Sequence, residues 1–287
     1  MRSSLKIKYE HLSIENKPID CNAGLWLDRY LPQQDGKSSI KPDECTSDNP
    51  LTEHFCRVAN IANKQDQTGI YERFFKRWKA SLRAIDGICL LEATVLGRMV
   101  VGLGAESVLE NSIALQHTYG MPYIPGSALK GLASSFAHQR LGQGAANADS
   151  LNDWAKGGKF HRELFGTTEL SGCVSFYDAL YIPNSAKEHG GPLHPDVITV
   201  HHPEYYQGKK KLNPGNDEAQ SIPPADWDSP TIISFLSATG KYLVALSGAE
   251  GWRDAARTIL ANGLTHMGVG AKTSSGYGRM KLADYQG

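Results

Sequence analysis

The sequence predicts an α+β fold of the ferredoxin-like type, because strand patterns and helix patterns follow each other in a particular order. Four segments are rich in β-branched and aliphatic residues and end at glycines or prolines, as is typical of strands. Two segments carry apolar residues at three- and four-residue steps, as is typical of helices. Their chain order is strand, helix, strand, strand, helix, strand, the βαββαβ order that RNA-recognition modules share. The fold alone does not establish a function, because it hosts many.

The boundaries of these elements come from turn-forming residues. The strands are expected at Ile88–Val101, Ser171–Pro183, Thr231–Leu246 and Tyr277–Leu282. The first helix should run from about residue 127 to about residue 141, with Ser127 as its N-cap and Gly142 just past its end. The second helix should begin near Trp252 and end at Gly263.

Two regions lie outside this pattern. Residues 1–86 are predicted to form an N-terminal arm and helical extension, and residues 87–287 the ferredoxin-like domain. Residues 184–229 are dense in Pro, Gly, Asn and His, contain the run Lys209–Lys211, and are predicted to be a long insertion between the second and third core strands. The extension contains a helical stripe over Thr68–Ile85. Its basic residues form either a solvated face or a phosphate-contacting face: Arg73, Lys76, Arg77 and Arg83.

Composition excludes several classes of protein. The 30 basic and 30 acidic side chains cancel, so any contact with nucleic acid must depend on local placement of charge. The five cysteines form no C-x-x-C pair, which favours reduced thiols over a disulfide framework. No segment resembles a secretory signal or a membrane span, and we expect a cytoplasmic protein without membrane contact. We expect no cofactor and no metal, since the residues around His201 and His202 have no specific metal-site spacing.

The segment GVGAKTSSGYGRM, Gly268–Met280, is the first candidate site. A phosphate-binding NTPase loop would need G-x-x-x-x-G-K-[ST] between a strand and a helix, and a dinucleotide site would need G-x-G-x-x-G, and both patterns are missing. Two readings remain open. The segment is either a glycine-rich turn that packs a helix on the sheet, or a loop whose small residues let a sugar-phosphate backbone approach.

A second motif, PYIPGSALKG over Pro122–Gly131, is a tight turn into a helix with a lysine in its first turn. Together with the glycine-rich segment it resembles the RAMP superfamily, the repeat-associated proteins of CRISPR complexes. Further segments make the chain similar to the family of sixth Cmr subunits of type III-B effector complexes: Gly24–Tyr30, His117–Gly120, Leu164–Gly166 and Asp196–Tyr206.

This resemblance implies a subunit that is not an enzyme. In such complexes the subunit caps one end of a stack of RAMP subunits and helps to hold the 3′ portion of the CRISPR RNA (crRNA), and the assembled complex degrades target RNA. The expected partners are therefore crRNA, target RNA and other Cmr subunits. No catalytic and no metal-binding residue is assigned. The predicted RNA contacts are His117, Ser127, Lys130, Gly268, Gly270, Lys272, Ser274, Ser275, Gly276, Tyr277, Gly278 and Arg279.

The alternative is a metal-independent endoribonuclease that processes CRISPR RNA, as some RAMP relatives do. His117 would then be the general acid or base, and Lys272 would stabilise developing negative charge if the fold brings the two together. Alternatively, His117 has only a structural role and is held by hydrogen bonds.

Overall fold

The computed structural model describes residues 21–30, 50–64, 69–107, 109, 111–142, 152–200, 205, 208, 210–213, 216–221, 223–224 and 231–287. His201, His202 and Lys209 of the predicted insertion lie outside the described residues. The fold is mixed helix and antiparallel sheet, as predicted.

The helices in chain order are α1 (Ala23–Arg29), α2 (Pro50–Lys64), α3 (Ile70–Arg83), α4 (Gly126–Phe136), α5 (Lys159–Phe165) and α6 (Glu250–His266). A π-helical turn, Ala137–Leu141, extends α4. The strands are β1 (Ile88–Val95), β2 (Tyr123–Ile124), β3 (Val174–Phe176), β4 (Ala179–Tyr181), β5 (Leu193–Val200), β6 (Lys210–Asn213), β7 (Asn216–Ser221), β8 (Thr231–Ala238), β9 (Lys241–Gly248) and β10 (Met280–Asp284).

The main sheet has the strand order β10-β1-β9-β4-β2, with β3 also paired to β9, and every one of these pairs is antiparallel. A second sheet consists of β5 and β8, and a third of β6 and β7. Met99, just beyond β1, pairs with Ala238 at the end of β8. This bridge ties the second sheet to the main one.

Helices cover both faces of the main sheet. On β9, the buried residues Tyr242, Val244 and Leu246 belong to the large core that also contains the apolar faces of α4 and α6. The intervening residues Leu243 and Ala245 pack with Phe75 and Leu82 of α3 in a separate apolar cluster. The alternation along β9 is that of a strand buried on both sides. The stripe predicted on α3 therefore packs against the sheet face opposite α4 and α6.

The predicted third core strand, Thr231–Leu246, is two strands in two different sheets. β8 pairs with β5, whereas β9 lies in the main sheet, and the chain passes between them at Thr239 and Gly240. Gly240 has φ +95°, and a Cβ there would lie 2.7 Å from the ring of Tyr181. A continuous run of strand-forming residues does not show where the chain changes sheet, which explains the error.

Two helix boundaries also differ from the prediction. The N-cap of α4 is Pro125 and not Ser127; the first-turn N–H of Gly126 donates instead to Asp178 Oδ1 at 2.7 Å. α6 does not end at Gly263 but continues to His266. A Cβ on Gly263 would lie 3.2 Å from Leu132 of α4, so this glycine allows close helix packing.

The sequence analysis did not identify α1, α2 or α5 as helices. α1 begins at Asn22, whose side chain accepts a hydrogen bond from the N–H of Leu25 at 3.0 Å. Phe55 and Val58 of α2 are buried in the large core together with the sheet. These helices owe their position to tertiary packing more than to helix propensity.

Cysteine chemistry differs in one position from the expectation of reduced thiols. Cys21, Cys89 and Cys173 are free, whereas Cys56 is disulfide-bonded. Within the described part of the chain, no helix is long and apolar enough to cross a bilayer, and no group of three or more His, Cys, Asp or Glu residues could hold a metal ion.

Candidate RNA interface

The glycine-rich loop, Gly268–Met280, lies at one end of the main sheet. It leaves the end of α6 and enters β10, whose first residue Met280 pairs with Val95, the last residue of β1. At the same end Tyr181, the last residue of β4, pairs with Tyr242 near the start of β9. The segments that follow β1 and β4 therefore lie at the same end of the sheet as the loop.

The backbone of the loop is fixed by its own hydrogen bonds and by the anchor segment, Leu96–Val101. Within the loop the N–H of Val269 donates to the carbonyl of Gly278 at 2.9 Å. Across to the anchor segment, the N–H of Ala271 donates to Val100 O at 2.7 Å and the N–H of Gly278 donates to Arg98 O at 2.8 Å. The loop is an ordered element on a rigid base.

At three of the glycines predicted to contact RNA, the space beside the Cα atom is occupied by the chain itself. A Cβ on Gly268 would lie 2.9 Å from Tyr277 O, one on Gly270 would lie 2.1 Å from Val100 O, and one on Gly278 would lie 1.9 Å from Val269 O. A Cβ on Gly276 would meet no heavy atom within 4 Å, although φ is +90° there. The small residues that were predicted to admit a foreign backbone thus admit the chain's own backbone at three of four positions.

The tip of the loop is its most accessible part. Thr273–Ser275 forms a single 3₁₀ turn, and Ser274, Ser275 and Gly276 are exposed. Lys272 precedes this turn with φ +59°, a left-handed conformation that is uncommon for a residue with a Cβ. Hydroxyls and a cation on a fixed tip are suitable groups for contacting phosphate and ribose oxygens.

Side chains of the second sheet hold the base of the loop. The hydroxyl of Tyr277 donates to Asp196 Oδ2 on β5 at 2.6 Å, and its ring centroid lies 6.0 Å from that of Phe235 on β8. Lys272 Nζ lies 5.4 Å from the centroid of the same Phe235 ring. Burial and the hydrogen bond to Asp196 raise the pKa of Tyr277 to about 12. The Tyr277 hydroxyl is therefore engaged within the chain.

Arg279, the other predicted phosphate contact, also has an internal partner. Its Nη1 donates to the carbonyl of Thr265 near the end of α6 at 3.1 Å. The guanidinium carries further N–H donors, so this bond orients the side chain without using all of its capacity.

Arg98 of the anchor segment was missed by the sequence analysis. Its side chain is half-buried, and its buried Nη1 has no hydrogen-bond partner among the residues that the structure describes. Burial lowers the pKa of His194 on β5, and the positive charge of Arg98 lowers it further. A basic residue beside a glycine just past a strand, as in LGR, is the weak signal that could have identified Arg98.

A ladder of backbone bonds joins the loop to the second motif. The anchor segment accepts a bond at Val101 O from the N–H of Ala114, at 2.7 Å, and Ala114 O accepts from the N–H of Tyr123, at 3.3 Å. Tyr123 lies in the motif Pro122–Gly131 and is the first residue of β2. Two segments, the anchor segment and the one that contains Ala114, thus link the two motifs through backbone hydrogen bonds. In sequence the motifs are about 140 residues apart.

His117 lies on an exposed turn that leads into β2. Leu115 pairs with Pro122, and the N–H of Gln116 donates to Met121 O at 2.7 Å, which closes the turn. The side chain of Asn22 donates to the carbonyl of His117 at 3.0 Å. Among the described residues no side chain forms a hydrogen bond with the His117 ring, so the structure brings no acid-base partner to it.

Ser127 and Lys130 lie on the other side of β2 from this turn. Both are on α4, which begins beside Asp178 at the junction of β3 and β4. Ser127 is exposed and Lys130 is half-buried. The structure thus groups the loop residues and the His117 turn at one end of the sheet, and it leaves Ser127 and Lys130 apart from them.

RNA cannot bind across an open face of the main sheet in this chain, because α3 covers the face opposite α4 and α6. On the solvent side of α3, Lys76 forms an ion pair with Glu72 at 2.7 Å, and Arg83 donates to the carbonyl of Gly287. Arg77 is exposed on the same helix. The outer face of α3 therefore offers accessible basic groups in addition to those at the end of the sheet.

Comparisons with known proteins agree with this description. The model of the RAMP superfamily matches residues 92–281, well over half of the chain. The Cmr6 subunit of the Pyrococcus furiosus CRISPR system is 29% identical, over 74% of this chain and 72% of that protein. Cmr6 of Saccharolobus solfataricus is 26% identical over 46% of this chain and 41% of its own length.

Among solved structures, a chain of the type III-B Cmr-β complex bound to cognate target RNA superimposes with a TM-score of 0.56 and 20% identity, over 84% of this chain and 77% of that chain. This likeness supports the fold, while the family match rests on the sequence over both motifs. The chain belongs to the RAMP superfamily.

Proposed function

We propose that this chain is an RNA-binding structural subunit of a type III-B CRISPR ribonucleoprotein, equivalent to Cmr6. In this role it caps the RAMP backbone and holds the 3′ portion of the crRNA in a complex that cleaves target RNA. The observation that carries the proposal is the backbone ladder from Ala271 through Val100, Val101 and Ala114 to Tyr123, because it joins the glycine-rich loop to the start of the second RAMP motif. The similarity to Cmr6 over nearly three quarters of both proteins supports the identity of the complex.

The fold-level part of the proposal is a ferredoxin-like core made of β1, α4, β4, β9, α6 and β10. The antiparallel order β10-β1-β9-β4 supports it, since it is the order expected of a split βαβ arrangement. Residues 184–229, between β4 and β9, are the proposed insertion, and residues 1–86 the proposed helical extension. β8 and β5 would then belong with the insertion as a second layer that supports the loop.

RNA would cross the end of the sheet and not its face. The exposed hydroxyls of Ser274 and Ser275 and the charge of Lys272 would contact phosphate and ribose, with Arg279 beside them. Because α3 covers the sheet face, the end of the sheet is the more accessible place for RNA to bind. Ser127 and Lys130 remain proposed contacts at a second place on the RNA. Because the net charge is zero, we expect salt-sensitive binding that neighbouring subunits strengthen.

We also propose that the chain contributes no catalytic residue, takes no cofactor or metal, and works in the cytoplasm with crRNA, target RNA and other RAMP subunits. The endoribonuclease alternative is less well supported, because general acid-base cleavage needs two positioned groups and the His117 ring has no hydrogen-bonded partner among the described residues. Lys272 Nζ instead lies over the ring of Phe235 on β8.

Purification of the tagged chain from its native cells tests the proposal. The expected result is co-purification of other RAMP subunits and of a short RNA of uniform length. Lys272→Asn should retain the protein partners and lose part of the RNA, because asparagine tolerates the left-handed φ but carries no charge. Complexes that assemble at full length and protect the same RNA 3′ end without this chain would show the proposal to be wrong.

A further inference from the structure

A pocket beside the proposed RNA surface has no role in the function described so far. It lies outside both motifs, between the end of α2, the turn after β4, and Met121 before β2, and its volume is about 280 Å³. The 280 Å³ pocket opens at the same end of the main sheet as the glycine-rich loop, because Tyr181 ends β4 there.

The floor of this pocket is apolar and rigid. It is formed by Ala62, Met121, Tyr181 and Pro192. Tyr181 is buried; its hydroxyl accepts from the N–H of Ala186 at 3.0 Å, and its carbonyl accepts from the hydroxyl of Tyr71 at 2.7 Å. Hydrogen bonds at its hydroxyl and at its backbone carbonyl fix Tyr181, so the floor needs no rearrangement when a ligand enters.

The rim of the pocket is polar and contains amides and a cation. Asn63 Nδ2 donates to Gly190 O at 2.6 Å, and a Cβ on Gly191 would lie 1.8 Å from Asn63 Oδ1, so the glycine makes room for the amide. Asn184, with φ +62°, and Lys187 complete the rim, and both side chains are exposed. Neither side chain forms a hydrogen bond or ion pair with any described residue.

The apolar floor and the polar rim together favour one class of ligand. The described residues that line the pocket include no carboxylate, and Lys187 favours an anion, so a cationic ligand is disfavoured. The apolar floor disfavours a bare inorganic ion, because such an ion needs polar groups on all sides. Amides supply both a donor and an acceptor, which is what the edge of a nucleobase requires. The volume is near the lower limit of ligand pockets, about 300 Å³, and suits one nucleotide.

We propose that this pocket binds one unpaired base of the RNA that crosses the end of the sheet, with the base on the Tyr181 and Met121 floor, its edge at Asn184 and the adjoining phosphate at Lys187. The inference rests on the proposed RNA-binding function. It adds a base-binding subsite to a surface whose other groups address phosphate and ribose.

Asn184→Gly is the most informative variant, since glycine adopts the left-handed φ freely and the substitution removes only the amide. Its thermal unfolding should match that of the wild-type chain. The full-length chain is titrated with a single-stranded RNA in which one abasic residue is moved along the sequence. For wild type, one position should weaken binding about tenfold. For Asn184→Gly, binding of the intact RNA should be weaker, and the abasic residue at that position should cause little further loss.

The lysine at the rim has a matched control. Lys187→Gln should weaken RNA binding several-fold, whereas Lys159→Gln should not, although Lys159 on α5 is also exposed. In a parallel measurement, 4-thiouridine at the sensitive position should cross-link to the peptide containing Met121 or Lys187.

The outcomes separate this inference from the proposed function. A wild-type chain and assembled complex without RNA affinity would overturn both. Normal RNA affinity with no sensitive abasic position, or an abasic penalty that is the same in Asn184→Gly, would overturn the base subsite alone. Cross-linking of the Lys187 peptide to a protein subunit in place of RNA would also overturn it, and would assign the pocket to a subunit contact.

Discussion

Replacing Tyr277 by phenylalanine tests whether the second sheet holds the glycine-rich loop. The substitution removes a hydroxyl that donates to Asp196 Oδ2 at 2.6 Å and leaves the ring against Phe235. If the loop depends on this bond, the variant should be less stable. If Tyr277 serves only as an RNA contact, stability should not change.

The size of the effect follows from the bond and its surroundings. A hydrogen bond to a charged acceptor contributes about 1.5–3 kcal/mol. Both side chains are half-buried, so water can partly replace the lost donor at Asp196. We therefore expect Tyr277→Phe to lower the free energy of unfolding by about 1–2 kcal/mol, which corresponds to about 2–8 °C in Tm for a chain of this size.

The pH dependence has a definite sign. Burial and Asp196 raise the pKa of Tyr277 to about 12 from its ordinary value of 10.0. Because the folded pKa is raised, the contribution is fully present below the unfolded pKa and is lost as the pH rises through about 12. The difference between wild type and Tyr277→Phe should thus be constant from neutral pH to the onset of tyrosine ionisation.

Urea denaturation of wild type and variants measures the effect. Tyr285→Phe is the control, because among the described residues the Tyr285 hydroxyl has only a long contact of 3.5 Å, with Lys79 Nζ. In a double-mutant cycle with Asp196→Asn, the coupling with Tyr277→Phe should be about 1 kcal/mol. Equal stabilities of Tyr277→Phe and Tyr285→Phe, or a coupling near zero, would refute the assignment of the bond as a support of the loop.

Three further outcomes are expected. Lys272→Asn should weaken RNA binding and reduce the slope of log K against log salt by about 0.7, measured by fluorescence anisotropy at several salt concentrations; an unchanged slope would remove Lys272 from the contacts. Gly278→Ala should cost several-fold more stability than Gly276→Ala, because a Cβ on Gly278 would lie 1.9 Å from Val269 O whereas one on Gly276 meets open space; equal losses in thermal melts would contradict this. The purified chain should yield no product from labelled repeat RNA in EDTA, and cleavage that His117→Ala abolishes would favour the nuclease alternative.

The core elements were predictable where the pattern was local. α4 and α6 follow from apolar residues at helical steps, and α3 from its aromatic stripe. β10 follows from alternation, with Met280 buried and Lys281 exposed. Short elements such as α5 and β3 were missed or merged, because a few residues carry too little periodicity to be recognised.

The candidate site was only partly predictable. The loop was identified as a candidate site from the sequence, whereas the accessibility of its tip, Ser274 to Gly276, is seen only in the structure. Asp196 and Phe235 were not, because the first is 81 residues from Tyr277 and meets it only through the pairing of β5 with β8. Arg98 was missed for the same reason, since its relation to the loop depends on the bond from Gly278.

By itself, the sequence determined that the fold mixes helices with sheet, the family resemblance and the two motifs, because spacing within a short segment fixes backbone preference and surface pattern. The tertiary structure alone decided that α3 covers one face of the sheet, that Thr231–Leu246 divides between two sheets, and that three glycines of the loop are filled by the chain's own backbone. These features depend on which distant segments become neighbours. That choice is made by burial and hydrogen bonding over the whole chain, and no local spacing records it.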